Sequence, residues 1–129
     1  MVVRNRRTGE WMMPGGRAER GESPVRTALR EVWEETGGRV RGDVTHVYAR
    51  DGVHLFDAPG QVSRSTSRRR ADFGARPAKG ETDDYGFVDL HGPGFVVTDY
   101  AGRPKAPGAA GRQAFRKGTI EHLNALRRR

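Results

Sequence analysis

The chain contains no cysteine, which excludes a disulfide framework and any thiolate metal site. It has no apolar run of about 18 residues, so no membrane-spanning helix is expected. Its first ten residues, MVVRNRRTGE, lack the apolar stretch of a secretory signal. A reduced, cytoplasmic setting is the resulting expectation. Large apolar side chains are also scarce. Hydrophobic residues make up 34% of 129 positions, lean but sufficient for one small core. The scarcity is greatest over 58–80, where Gly, Pro, Ser and Arg dominate. That stretch is expected to be a long mobile loop within a single domain spanning 1–129.

Positive charge, by contrast, is in excess. The formal net charge is +8, and it is unevenly placed. Residues 1–60 carry 10 basic and 9 acidic side chains, whereas 61–129 carry 14 and 7. The excess lies chiefly in Ser63–Arg70 and Arg127–Arg129. Such a field attracts polyanions, either nucleic acid or a small substrate with several phosphates. A merely solvated, arginine-rich surface is the bland alternative, at even odds for the terminal arginines.

Local signals outline the elements. Met1–Arg4 reads as a strand, Arg6–Gly9 as a turn, and Trp11-Met12-Met13 as an apolar step stopped by Pro14-Gly15-Gly16. Ser23 and Pro24 pair an N-cap with a proline at the first helical position. Val25, Ala28, Leu29 and Val32 then recur at helical spacing, and Gly37-Gly38 supplies the stop. This predicts a helix over 24–36. Val40–Tyr48 and Val53–Phe56 flank Asp51-Gly52, a hairpin signal. Tyr85–Leu90 and Phe95–Tyr100 read as strands, Pro104–Gly111 as a connection, and Arg112–Leu126 as a closing helix.

The chemistry concentrates in residues 14–38. At about 100° per residue, Glu31, Glu34 and Glu35 fall within an arc of roughly 100° beside the apolar stripe. Three carboxylates so close repel one another unless a cation compensates. Hard oxygen ligands suit Mg2+ or Mn2+, and histidine is absent from the segment, which argues against zinc. Upstream, the Pro14-Gly15-Gly16 turn lets backbone approach a ligand closely, and the helix N-terminus favours phosphate oxygens. Arg30 can orient a carboxylate bidentately, with Glu22 as its partner. A solvated helix face with i,i+4 ion pairs is the competing reading for a generic EVWEE segment.

The joint spacing decides between them. Gly16, five residues, Glu22, seven residues, then Arg30-Glu31-Val32-Trp33-Glu34-Glu35-Thr36-Gly37 resembles the Nudix box, GX5EX7REUXEEXGU. Every fixed position is present; Val32 fills the first apolar slot and Gly38 departs from the last. Trp11-x-x-Pro14-Gly15-Gly16 and Glu19-x-Gly21-Glu22 resemble family sequences too. The resemblance covers roughly residues 9–38.

It implies an α/β (α+β) fold, an α/β/α sandwich with a mixed sheet, and hydrolysis of a pyrophosphate by metal-activated water. On that resemblance Glu31, Glu34 and Glu35 are the Mg2+ ligands, with Mn2+ as the substitute. Glu35 and Glu31 are the candidate bases, and Arg30 and Glu22 orient or support them. The Gly15 or Gly16 backbone helps hold metal or phosphate. Family domains often draw a further ligand or base from a distant loop, where Glu81, Asp83 and Asp84 are available; an ordinary acidic turn is favoured for them at two to one.

The box begins at Gly16, leaving only Met1–Arg4 for the strand or strands expected ahead of it. They are short or missing, and a homodimer completing the sheet is one consequence. For the substrate, Arg68 and Arg70, with Arg76 and Lys79, are the candidate phosphate clamp. Arg6-Arg7-Thr8-Gly9-x-Trp11 loosely resembles subfamilies that act on highly phosphorylated molecules. The alternative function is a catalytically weak binding or regulatory module, or a basic RNA-binding protein. The clustered glutamates favour the enzyme, and no membrane partner is expected.

Overall fold

Ser23 and Pro24 start the main helix as their residue types require. Ser23 is extended (φ −73°, ψ 156°) and its Oγ accepts the Arg26 N–H at 3.3 Å, with proline at the first helical position. Helix α1 (Pro24–Thr36) ends at Gly37, which takes φ 75° and donates its N–H to Trp33 O at 2.8 Å. Thr36 Oγ1 donates to Val32 O at 2.6 Å and accepts Gly38 N–H at 3.0 Å, tying helix end to the next strand.

The computed structural model describes residues 1–58, 62–64, 81–99, 101–107 and 111–129. Strand β1 (Val2–Asn5) is central, pairing with β2 (Trp11–Met12) on one side and β7 (Thr82–Val88) on the other. With β8 (Val97–Thr98) this gives the order β2-β1-β7-β8. Strand β3 (Gly38–Val40) pairs with β6 (Val62–Arg64), and β4 (Thr45–Arg50) with β5 (Val53–Asp57). Asp51 (φ 50°) and Gly52 (φ 77°) close the β4–β5 hairpin as the Asp-Gly signal predicts. The fold is α+β. Every described strand pairing is antiparallel; the parallel component is an isolated bridge between Trp11 and Phe115.

The core is small. Val2, Trp11 and Val97 are buried together, with Met13, Val88 and Phe115 packed against them. A Cβ at Gly86 would collide with Val97 Cγ1, so the β7 position paired with Val2 needs a residue without a side chain.

Three expectations are corrected. The stretch 58–80 is not wholly loop, since Val62–Arg64 forms β6; residues 59–61 and 65–80 lie outside the described residues. The closing helix is shorter than 112–126: α2 spans Thr119–Arg127, after Gly118 at φ 90°. Residues ahead of it pair with β2 instead, Trp11 N–H to Ala114 O and Arg116 N–H to Trp11 O, both 2.8 Å. The apolar stripe of α1 does not define its buried face. Thr27, Glu31, Glu35 and Thr36 are buried, whereas Leu29 is 38% exposed. Strand β7 approaches the carboxylate side, where Thr82 Oγ1 donates to Glu35 O at 3.4 Å.

Helix α2 docks through Leu123 and through polar links: Tyr48 with His122, Glu121 with Arg50, and Arg127 Nε to Leu90 O. Arg127 lies over Phe95 and Arg129 pairs with Asp57, so two of the three terminal arginines serve the fold. Among the described residues no helix is long and apolar enough to cross a membrane.

Candidate active site

Arg30 is the hub of the site. Its Nε and Nη2 grip both Glu22 oxygens at 2.8 and 2.9 Å, the bidentate pairing its spacing from Glu22 predicts. Its Nη1 reaches Glu31 at 2.8 Å and Glu34 at 3.0 Å, and Nη2 also donates to Arg17 O at 3.0 Å. The Arg30 guanidinium, first, and the Glu19 backbone N–H hold the Glu22 carboxyl down at about 2. Thr27 adds a hydroxyl donor to Glu22 at 2.8 Å. One cation thereby orders Glu22 in the loop ahead of the helix together with Glu31 and Glu34 on the helix itself.

Glu31 and Glu35 form the interior of this cluster, at 2% and 5% exposure. Burial, then the hydrogen bond to Glu31 and its charge, pushes the Glu35 carboxyl up to about 9. A backbone N–H from Gly15 works against that rise, and the charge of Glu81 adds to it. Glu35 therefore holds a proton at neutral pH in this arrangement. Its Oε2 is buried without a hydrogen-bond partner. The glycine turn sits against the same groups: a Cβ on Gly16 would lie 2.6 Å from Glu31 Cδ and Oε1. The second glycine is thus required by close approach.

The expected residues separate into three groups. Glu31, Glu34, Glu35, Arg30, Gly15 and Gly16 are brought together as the motif predicts. Of the distant acids, only Glu81 interacts with the cluster; Asp83 is bound to Arg4 at 2.8 Å and Asp84 to Lys105 at 3.1 Å. Arg68, Arg70, Arg76 and Lys79 lie outside the described residues. Sequence reasoning missed Thr27 and Thr82, since a lone threonine carries no signal until the fold sets it beside the Glu22 carboxylate or the Glu35 carbonyl. It also missed an open surface depression lined by Asn5, Arg6, Arg7 and Glu81.

The donor set fits a divalent cation. The oxygens that would face it are hard carboxylates, and the orphaned Glu35 Oε2 lacks the electropositive neighbour such an atom needs. Among the described residues no three acidic or histidine side chains already converge as a cage. The Arg30 guanidinium is the cation that faces Glu22, Glu31 and Glu34.

Relatives share parts of this chain. It is 47% identical over 49 residues to a MutT-like protein of Streptomyces ambofaciens, covering 37% of this chain and 32% of that protein. It is 53% identical over 34 residues to an RNA pyrophosphohydrolase of Roseobacter denitrificans, 26% of this chain and 21% of the relative. Nudix hydrolase 3 of Caenorhabditis elegans is 37% identical over 76 residues, 59% and 26% of the two chains. The matched regions span between about a fifth and a third of these relatives. The NUDIX domain family model matches residues 1–100, and with the box residues assembled around Arg30 as described, the chain belongs to the Nudix family.

Proposed function

We propose that the protein hydrolyses a pyrophosphate bond in a nucleoside-diphosphate-linked or polyphosphorylated small molecule, with Mg2+ as cofactor and Mn2+ as substitute. The observation that carries this reading is Glu35: a carboxyl only 5% exposed that keeps one oxygen orphaned on the same helix as buried Glu31. A fold does not bury such a group for stability, because it destabilises the folded state as pH rises.

Glu31, Glu34 and Glu35 would hold the cation. Bound there, it would neutralise pyrophosphate charge and acidify an attacking water. The protein's own residues do the rest. Arg30 positions Glu31 and Glu34, and Glu22 with Thr27 positions Arg30. Gly15 presents a backbone N–H at Glu35, and Gly16 leaves the space that Glu31 fills. Once positive charge lies beside it, Glu35 gives up its proton and can take one from water; Glu31 is the other candidate base.

The cytoplasm is the proposed setting, and a second copy pairing along an open strand edge is the proposed assembly. The test is a substrate panel of nucleoside triphosphates, nucleotide sugars, ADP-ribose and dinucleoside polyphosphates, with Mg2+, Mn2+ or EDTA. Metal-dependent release of phosphate, pyrophosphate or mononucleotide is expected from at least one. Glu35→Gln should lower turnover by orders of magnitude while the fold persists. Full activity of that variant, or in EDTA, would overturn the assignment.

A further inference from the structure

A bulge in the β4–β5 hairpin brings two histidines together. In an uninterrupted ladder counted from the Ala49–His54 pair, His46 lies three positions from Ala49 and faces away from His54. One extra residue, Val47, breaks that count: His46 pairs with Phe56, and Tyr48 with Leu55. Such a bulge re-aims the side chains beyond it. His46, His54 and Phe56 therefore share one face of the hairpin, and Tyr48 shares the other with buried Leu55.

The two rings meet through their nitrogens. His46 Nε2 lies 3.0 Å from His54 Nδ1, and the ring centroids are 5.2 Å apart. Phe56 flanks both rings, edge-on to His46 at 5.2 Å and stacked beside His54 at 6.4 Å. Both histidines are exposed, so their hydrogen bond competes with water and contributes little to stability. The same two nitrogens suit a different task, because neutral imidazole is the commonest metal ligand and binds through either nitrogen.

The geometry has room for an ion in place of the shared proton. Two nitrogens 3.0 Å apart, each about 2.0–2.1 Å from a metal, subtend an angle of about 95°. That angle fits the tetragonal coordination of Cu2+ or Ni2+ better than the tetrahedral coordination of zinc. The strand ladder fixes both backbones and Phe56 limits both rings, so little ordering remains to oppose binding.

We infer that His46 and His54 form a two-histidine site for a late first-row transition ion, Cu2+ or Ni2+, on the exposed face of the β4–β5 hairpin. Among the described residues no third histidine, aspartate or glutamate converges on the pair, and water or a small external ligand completes the coordination. A site left open in this way exchanges its ion, whereas closed four-ligand sites serve structure. The pair shares no residue with the Arg30 carboxylate cluster, whose hard oxygens suit Mg2+ or Mn2+. It stands independently of the proposed hydrolysis.

The experiment titrates the full chain, without an affinity tag, with Cu2+ and follows the ion by electron paramagnetic resonance, in which each coordinated nitrogen splits the signal. The wild type should bind one ion through two nitrogens. His46→Ala and His54→Ala should each leave a single nitrogen and weaken binding at least about tenfold, because the second ligand no longer adds an intramolecular contact. His91→Ala removes an exposed histidine elsewhere and should match the wild type. Ions held by carboxylates alone show no nitrogen splitting and are counted apart. Metal-free melting temperatures check the fold, and His46→Gln and His54→Gln repeat the comparison if an alanine variant melts early. A wild-type spectrum with oxygen ligands only overturns the site. So does wild-type affinity in a folded His46 or His54 variant, or an equal loss in His91→Ala.

Discussion

Replacing Glu35 by glutamine should stabilise the metal-free protein, and the gain should grow with pH. Glu35 is 5% exposed, and burial together with Glu31 lifts its carboxyl to about 9. In the unfolded chain a glutamate titrates near about 4.3. The folded state therefore binds a proton that the unfolded state has released throughout the interval between these values. The stability associated with that proton is fully present below about pH 4.3 and is lost as pH rises towards about 9.

The slope is about 1.4 kcal/mol per pH unit. Between pH 4.5 and 7 the wild type should then lose about 3 kcal/mol that the glutamine variant keeps. This is an upper bound. Glu31 and Glu81 act on the ionised group and can readjust around it, and a residual difference of about 1 kcal/mol would still be resolved. The assay is urea unfolding in EDTA at pH 4.5, 6, 7 and 8, with the two proteins compared at each pH. Any fixed packing difference cancels in the comparison between pH values. A stability gap that stays constant from pH 4.5 to 8 refutes the reasoning. Adding Mg2+ at pH 7 should close the gap, because a cation replaces the proton only in the wild type.

Gly16→Ala should place a Cβ 2.6 Å from the Glu31 carboxylate carbon and push that side chain aside. Steady-state kinetics should show about a hundredfold fall in kcat/KM, as displacements near 1 Å commonly cause, with a melting temperature close to wild type. Arg30→Lys keeps the charge but cannot grip both Glu22 oxygens at 2.8 and 2.9 Å while reaching Glu31 and Glu34. It should lower kcat by about tenfold or more while an Arg26→Lys control does not. Ser23→Ala removes the acceptor for Arg26 N–H and should cost about 1 kcal/mol in denaturant unfolding with turnover retained.

Much of the site was legible because the box is a local object. Arg30, Glu31, Glu34 and Glu35 lie within six consecutive residues, and helical geometry alone puts them on one flank. Ser23, Pro24 and Gly37 bounded that helix through backbone preferences that act over one turn. Asp51-Gly52 set its hairpin for the same reason. The closing helix was misjudged at its start because residues 112–118 have helical composition, yet Ala114 and Arg116 bond to Trp11, about a hundred positions away. No local pattern announces such a bridge.

What the sequence by itself determined is therefore the local arrangement: no cysteine, three acids on one helix, and a glycine turn able to approach them. What only the tertiary structure decided is which of those groups are buried and which distant residues meet them. The apolar stripe of α1 pointed to one buried face, but Thr27, Glu31 and Glu35 are the buried residues, with Thr82 of β7 bonded to the Glu35 carbonyl. Asp83 and Asp84 are taken up by Arg4 and Lys105, while the charge of Glu81 reaches Glu35. The reason is physical: a carboxylate's proton affinity depends on the solvent and charges that distant segments take away or bring near, and those are fixed only when the chain has packed.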